Sequence, residues 1–115
     1  MIDTNILEKL DFDKQNGLIP TIVQDIQTKE VLMLAYMSKE SLQYTLENKI
    51  ACYFSRSRKA LWIKGETSGH FQHVLNIAVD CDCDTILLMV KQDGVACHTG
   101  AYSCFFNTLY EEENI

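Results

Sequence analysis

The sequence predicts an α+β fold, a mostly antiparallel twisted sheet or roll carrying one main helix. Three observations predict it. Short runs of β-branched, aliphatic and aromatic residues recur between polar turn segments, the pattern of strands joined by tight connections. Only one stretch, residues 38–48, combines a helix cap with helical apolar spacing. The 115 residues, 47% hydrophobic and 23% charged, suit one core, so residues 1–115 are expected to form a single domain.

Taken in order, residues 1–14 carry a weak helical pattern in Ile6, Leu7 and Leu10 and predict a short N-terminal helix or arm. Residues 18–26 (LIPTIVQDI) follow Gly17 as a strand, with Pro20 near its start where a missing N–H is tolerated. Residues 27–29 form its turn, and 30–36 (EVLMLAY) its hairpin partner. Ser38 is a natural N-cap, Glu40 places negative charge in the first turn, and Leu42, Thr45 and Leu46 share a face as far as Asn48.

Strands resume at 51–55 (ACYFS) and 61–63 (LWI). Gly65 and Gly69 then bracket Glu66, Thr67 and Ser68, a loop composition whose amides are free to face a ligand. Residues 71–92 would make a strand of roughly 70 Å at about 3.3 Å per residue, too long for this domain. They are expected to fold back at the acidic cluster, giving strands at 72–79 and 85–91. A last strand is expected over 103–110, and a solvated tail over 111–115. Hairpin, helix and returning strands together make a β-grasp-like arrangement.

A formal charge of −6 and a pI near 4.9 argue against general nucleic-acid binding, which needs a basic face. No apolar run approaches a membrane span, and residues 1–10 lack the basic flank and apolar core of a leader, so a cytoplasmic protein is expected. Five cysteines, an odd number, favour thiolate or metal chemistry over a disulfide framework.

Candidate chemistry concentrates in three places. Asp80, Asp82 and Asp84 alternate with Cys81 and Cys83, setting hard oxygen beside soft sulfur. Thr85 and Lys91 stand where a calcium loop needs Gly and Glu, so magnesium suits the carboxylates better, against a simple solvated acidic turn. Cys97 and Cys104 flank Gly100, and with Cys81 they make three thiolates with a fourth position open, the geometry of a catalytic zinc. Cys83, too close to Cys81 for the usual zinc spacing, reads as a bystander, and Cys52 as a buried hydrophobe. The alternative is a small zinc-stabilised binding module without enzymatic activity, in which Cys83 would close a structural site.

Arg56, Arg58, Lys59 and Lys64 gather four of the ten basic residues just ahead of the Gly65–Gly69 loop. On one strand face Arg56 and Arg58 would suit phosphate, and a solvated basic hairpin is the plainer reading. Of the three histidines, His98 beside Cys97 is the foremost acid/base candidate, with His70 and His73 following the loop.

The strings FSRSRKALWIKGETSGH (54–70), DCDCDT (80–85) and ACHTGAYSCFF (96–106), with GLIPTIVQD (17–25) and VLMLAYM (31–37), resemble the phosphoribosyl-AMP cyclohydrolases of histidine biosynthesis. The resemblance implies hydrolysis of the N1–C6 bond of the adenine ring of phosphoribosyl-AMP by zinc-activated water with magnesium. It implies Cys81, Cys97 and Cys104 as zinc ligands, Asp80, Asp82 and Asp84 as magnesium ligands, and an intertwined homodimer whose zinc site is shared between chains. His98, with His70 or His73, would move protons. Arg56, Arg58, Lys64, Glu66, Thr67, Ser68 and Gly69 would bind the substrate. A stand-alone form is expected, without the pyrophosphatase domain fused to many relatives.

Overall fold

A computed structural model describes residues 1–113. The N-terminal helix α1 (Thr4–Lys9) is capped by Asp3, whose carboxylate accepts from the amides of Asn5 and Ile6, and buries none of its own residues. The hairpin β1 (Ile19–Asp25) and β2 (Val31–Met37) forms as the sequence predicts. Its turn is built on Asp25, whose Oδ1 accepts from the amides of Gln27 and Thr28.

The helix α2 (Lys39–Asn48) starts at Ser38, whose hydroxyl accepts from the Ser41 amide while Ser41 returns the bond to the Ser38 amide. Serine thus fills the position where a capping box usually carries Glu or Gln. Leu42 packs into the core, and the Thr45 hydroxyl accepts from the Cys52 amide, pinning the helix to the next strand.

Strands β3 (Cys52–Ser55) and β4 (Ala60–Ile63) pair as a separate two-stranded ribbon. Strands β5 (Gln72–Val79) and β6 (Ile86–Gln92) form the second hairpin, turning at the acidic cluster as expected. The main sheet has the order β2-β1-β6-β5. Three of the four strand pairings are antiparallel, but the central one, β1 with β6, is parallel. The core lies on one face of this sheet, where Ile19, Val23, Leu32, Met37, Ile86, Leu88 and Val90 meet Leu42, Ala51 and Tyr53.

Two expectations fail. Residues 103–110 do not form a strand: the segment touches β2 through Cys104 N–H to Leu32 O (2.7 Å) and the Ser103 hydroxyl to Val31 O (2.7 Å), then leaves it. Aromatic strand propensity expresses packing on a half-buried surface, and Phe105, Phe106 and Leu109 are exposed. Arg56 and Arg58 likewise share no strand face, because residues 56–59 are the turn between β3 and β4 and Lys59 takes a left-handed φ of 53°. Of the tail expected to be solvated, Glu111, Glu112 and Glu113 are exposed, and Asn114 and Ile115 lie outside the described residues.

Candidate functional site

Two chemical centres emerge. The first is the β5–β6 turn, closed by the Asp80 amide donating to Thr85 O (3.0 Å). Asp80 Oδ1 accepts from the amides of Asp84 and Thr85, and this local folding turns all three carboxylates toward one point. One oxygen each of Asp80, Asp82 and Asp84 lie within 4.8 Å of one another. Lys14, which the sequence reading missed, reaches in from the loop after α1, 2.7 Å from Asp84 and 3.7 Å from Asp82. Its ammonium holds the Asp84 carboxyl well below the usual range, with help from the neighbouring carboxyls. Asp82 is pushed up, first through its contact with Asp84. Crowded carboxylates that split in this way are a donor set for a hard cation, and magnesium fits them.

Cys83 has a φ of 62° in this turn, and its carbonyl accepts from the Asp11 amide (2.8 Å). Its observed part is therefore in the turn backbone.

The second centre is a cleft of about 340 Å³ between the 64–70 loop and the 95–100 segment. Lys64, Glu66, Thr67, Ser68, His70, Cys97 and His98 line it, joined by Trp62, Val95 and Ala96, which the sequence reading did not single out. Two glycines shape it. A Cβ on Gly65 (φ +95°) would lie 2.6 Å from the His70 carbonyl carbon and the Phe71 nitrogen, so the loop closes this tightly only on glycine. A Cβ on Gly94 would strike the His70 ring at 2.6 Å, so Gly94 makes the seat on which that imidazole rests.

Of the two thiols, Cys97 is buried in the cleft wall and Cys104 is exposed outside it. A tight hairpin, Ala96 N–H to Tyr102 O (3.0 Å) and Cys97 N–H to Ala101 O (3.1 Å), returns the chain to Cys104. The Thr99 hydroxyl, 3.0 Å from Cys97 Sγ, draws the Cys97 thiol below its ordinary pKa, and Cys104 adds to this. Burial pushes the Cys104 thiol up, and its neighbour Cys97 pushes it further. One low and one raised thiol in contact are soft donors suited to zinc.

Among the described residues the structure does not gather Cys81 with this pair; it lies exposed on the acidic turn. His73 also lies apart from the cleft lining, its Nε2 2.6 Å from Asp93 Oδ2. Arg56 stacks over the Tyr36 ring at 4.0 Å and Arg58 is exposed, both outside the cleft wall. Behind the cleft runs a buried amide relay invisible to motif reading: Tyr53 Oη donates to Gln72 (2.5 Å), and Gln72 to Gln92 (2.8 Å). Gln92 in turn donates to the Asp93 carbonyl (2.9 Å), bracing the start of the thiol segment.

Comparison with known proteins identifies the family. The profile of the phosphoribosyl-AMP cyclohydrolase family matches residues 33–106, the stretch that contains both centres. Proteins named phosphoribosyl-AMP cyclohydrolase are similar along nearly the whole chain. That of Streptococcus thermophilus is 64% identical, over 90% of this chain and 93% of its own length. That of Clostridium beijerinckii is 63% identical over 90% and 94%, and that of Chloroherpeton thalassium 58% over 98% and 79%. With its acidic turn, its cleft lined by Cys97 and this extent of identity, the chain belongs to the phosphoribosyl-AMP cyclohydrolase family.

Proposed function

We propose that this chain is a single-domain hydrolase of histidine biosynthesis that opens the adenine ring of phosphoribosyl-AMP between N1 and C6. The observation that carries this reading is the cleft, in which Cys97, two histidines and a hydroxyl-bearing glycine loop share one wall system. Ribosylation at N1 makes C6 an electrophilic amidine carbon, so addition of water there followed by loss of N1 opens the ring. Zinc, when bound to Cys97 and Cys104, would supply Lewis acidity, lowering the pKa of water from about 15.7 toward about 7.

Cys81 completes the ligand set from a second copy of the chain. Two observations favour this: Cys81 is exposed on the acidic turn, and Phe105, Phe106 and Leu109 are uncovered beside Cys104. The assembly is accordingly an intertwined homodimer of β-grasp-like subunits, the latter supported by a hairpin, a helix and a parallel central strand pair. Asp80, Asp82 and Asp84 hold magnesium.

His98, exposed on the cleft rim, and His70, fixed on its glycine seat, move the proton to the departing N1. His73, held by Asp93, orients the start of β5 and assists from behind. Thr67 and Ser68 grip phosphate from a turn that Gly69 closes by donating its amide to Gly65 O (2.7 Å), Glu66 orients the ribose, and Lys64 adds positive potential to the cleft. Arg56 and Arg58 reach the second phosphate from the neighbouring turn. Among the described residues no helix is long and apolar enough to cross a membrane. A cytoplasmic location is part of the proposal, as the place of a biosynthetic enzyme.

Incubating zinc-loaded protein with phosphoribosyl-AMP should give the absorbance change of ring opening, and absence of turnover would refute the assignment. A non-enzymatic zinc module instead requires Cys83 as fourth ligand, and loss of zinc in Cys83→Ser would favour it.

A further inference from the structure

The ammonium of Lys64 is the charge in this molecule whose surroundings are hardest to explain as surface decoration. The residue is half-buried, and burial presses its pKa down. Among the described residues no carboxylate comes within 4.0 Å of it. A cation withdrawn from water without a carboxylate partner is costly, and its compensation on the page is the Ala96 carbonyl, one residue before Cys97.

The geometry is equally specific. The Lys64 amide donates to Ala51 O (3.1 Å), tying the start of the glycine loop to the core, and the ammonium lies 5.4 Å from the centre of the Trp62 ring. From there it donates to the Ala96 carbonyl at 2.5 Å, at the root of the hairpin that presents Cys97. One side chain thus joins the substrate loop to the thiol hairpin.

We propose that Lys64 is a positioning residue of the thiol site, its ammonium fixing the Ala96–Cys97 hairpin through the Ala96 carbonyl and supplying the counter-charge of the Cys97–Cys104 thiolate pair. The inference rests on the reading of these thiols as zinc ligands. A divalent ion with three thiolates carries a net negative charge, and the nearby fixed cation offsets it. Partners one step removed from a metal commonly tune its affinity by about 10–100-fold.

The test uses the full-length zinc-loaded protein with Lys64→Met and Lys64→Arg. Competition with a chromogenic chelator should show zinc held about 10-fold or more less tightly by Lys64→Met, and close to normally by Lys64→Arg. In cobalt-substituted protein the thiolate-to-metal charge-transfer band should shift in Lys64→Met and return toward its normal position in Lys64→Arg. A Lys64→Met protein with unchanged zinc retention would overturn the proposal, and so would equal losses in both variants. If Lys64→Met does not fold, the retention of zinc by Lys64→Arg decides the matter. Cys97→Ser separates the two levels of the argument. If it releases zinc while Lys64→Met does not, only the role of Lys64 falls. If Cys97→Ser holds zinc normally, the zinc reading itself fails and the inference with it.

Discussion

The acidic turn and the thiol hairpin are both built from short stretches of chain, yet they reach different degrees of completeness. The turn gathers its three carboxylates within five consecutive residues and finds a cation of its own chain in Lys14. The hairpin gathers two thiols, with Cys81 left on the turn. Donors that one backbone turn can converge are preorganised by local hydrogen bonds. Donors on separate segments have no such local bonds to converge them, and function is expected to be most sensitive there.

The largest effect is expected where the contrast is sharpest. Cys97→Ser or Cys104→Ser should lose bound zinc and reduce turnover by about 100-fold or more, whereas Cys83→Ser should keep both, by metal analysis and the ring-opening assay. Zinc loss in Cys83→Ser as well would erase the distinction between ligand and bystander.

A smaller effect should follow from loosening the hairpin's anchor. The Tyr102 hydroxyl donates to the buried Asp25 carboxylate and, ahead of the amides of Thr28 and Gln27, holds its pKa below the ordinary value. A depressed carboxylate adds stability above its unfolded pKa and loses it as pH falls through the folded value. Tyr102→Phe should therefore cost about 1.5–3 kcal/mol at neutral pH, by denaturant unfolding, with the difference shrinking as the pH drops below about 4. An unchanged midpoint would mean that the hairpin does not depend on β1.

Least of all is expected from Lys14→Met. Its exposed ion pair with Asp84 should matter slightly at neutral pH, less below the ordinary carboxylate pKa, and not at all in about 1 M salt. Thermal melts across salt would show this. A salt-independent loss would make the acidic turn a packed structure rather than an electrostatic one.

Much of the fold was legible because its signals are local. Ser38 and the spacing of Leu42 and Thr45 mark α2, the turn chemistry of residues 27–29 marks the first hairpin, and the excess length of residues 71–92 forces the second. The strand expected over 103–110 failed because aromatic composition says nothing about whether an edge is within reach. Both arginines were placed on a strand because alternation with serine imitates a pleat. At the site, the loop residues, His70, His98 and Cys97 were found from motif chemistry, and the cleft brings them together. Lys14, Gln92 and the Gly94 seat under His70 had no signal, since each acts on a partner distant in sequence.

The parallel pairing of β1 with β6 has a consequence for how the molecule comes into being. These two strands form the middle of the main sheet, from Thr21 opposite Ile86 to Asp25 opposite Val90, with most of the chain between them. During synthesis the first hairpin and α2 can form early, but the sheet has no centre until β6 has emerged. Closing so long a loop before its contacts stabilise it slows folding. A nascent chain stopped before residue 86 would therefore carry the pairing edge of β1 open to water, a state in which protease or chaperone meets it before its own last strand does.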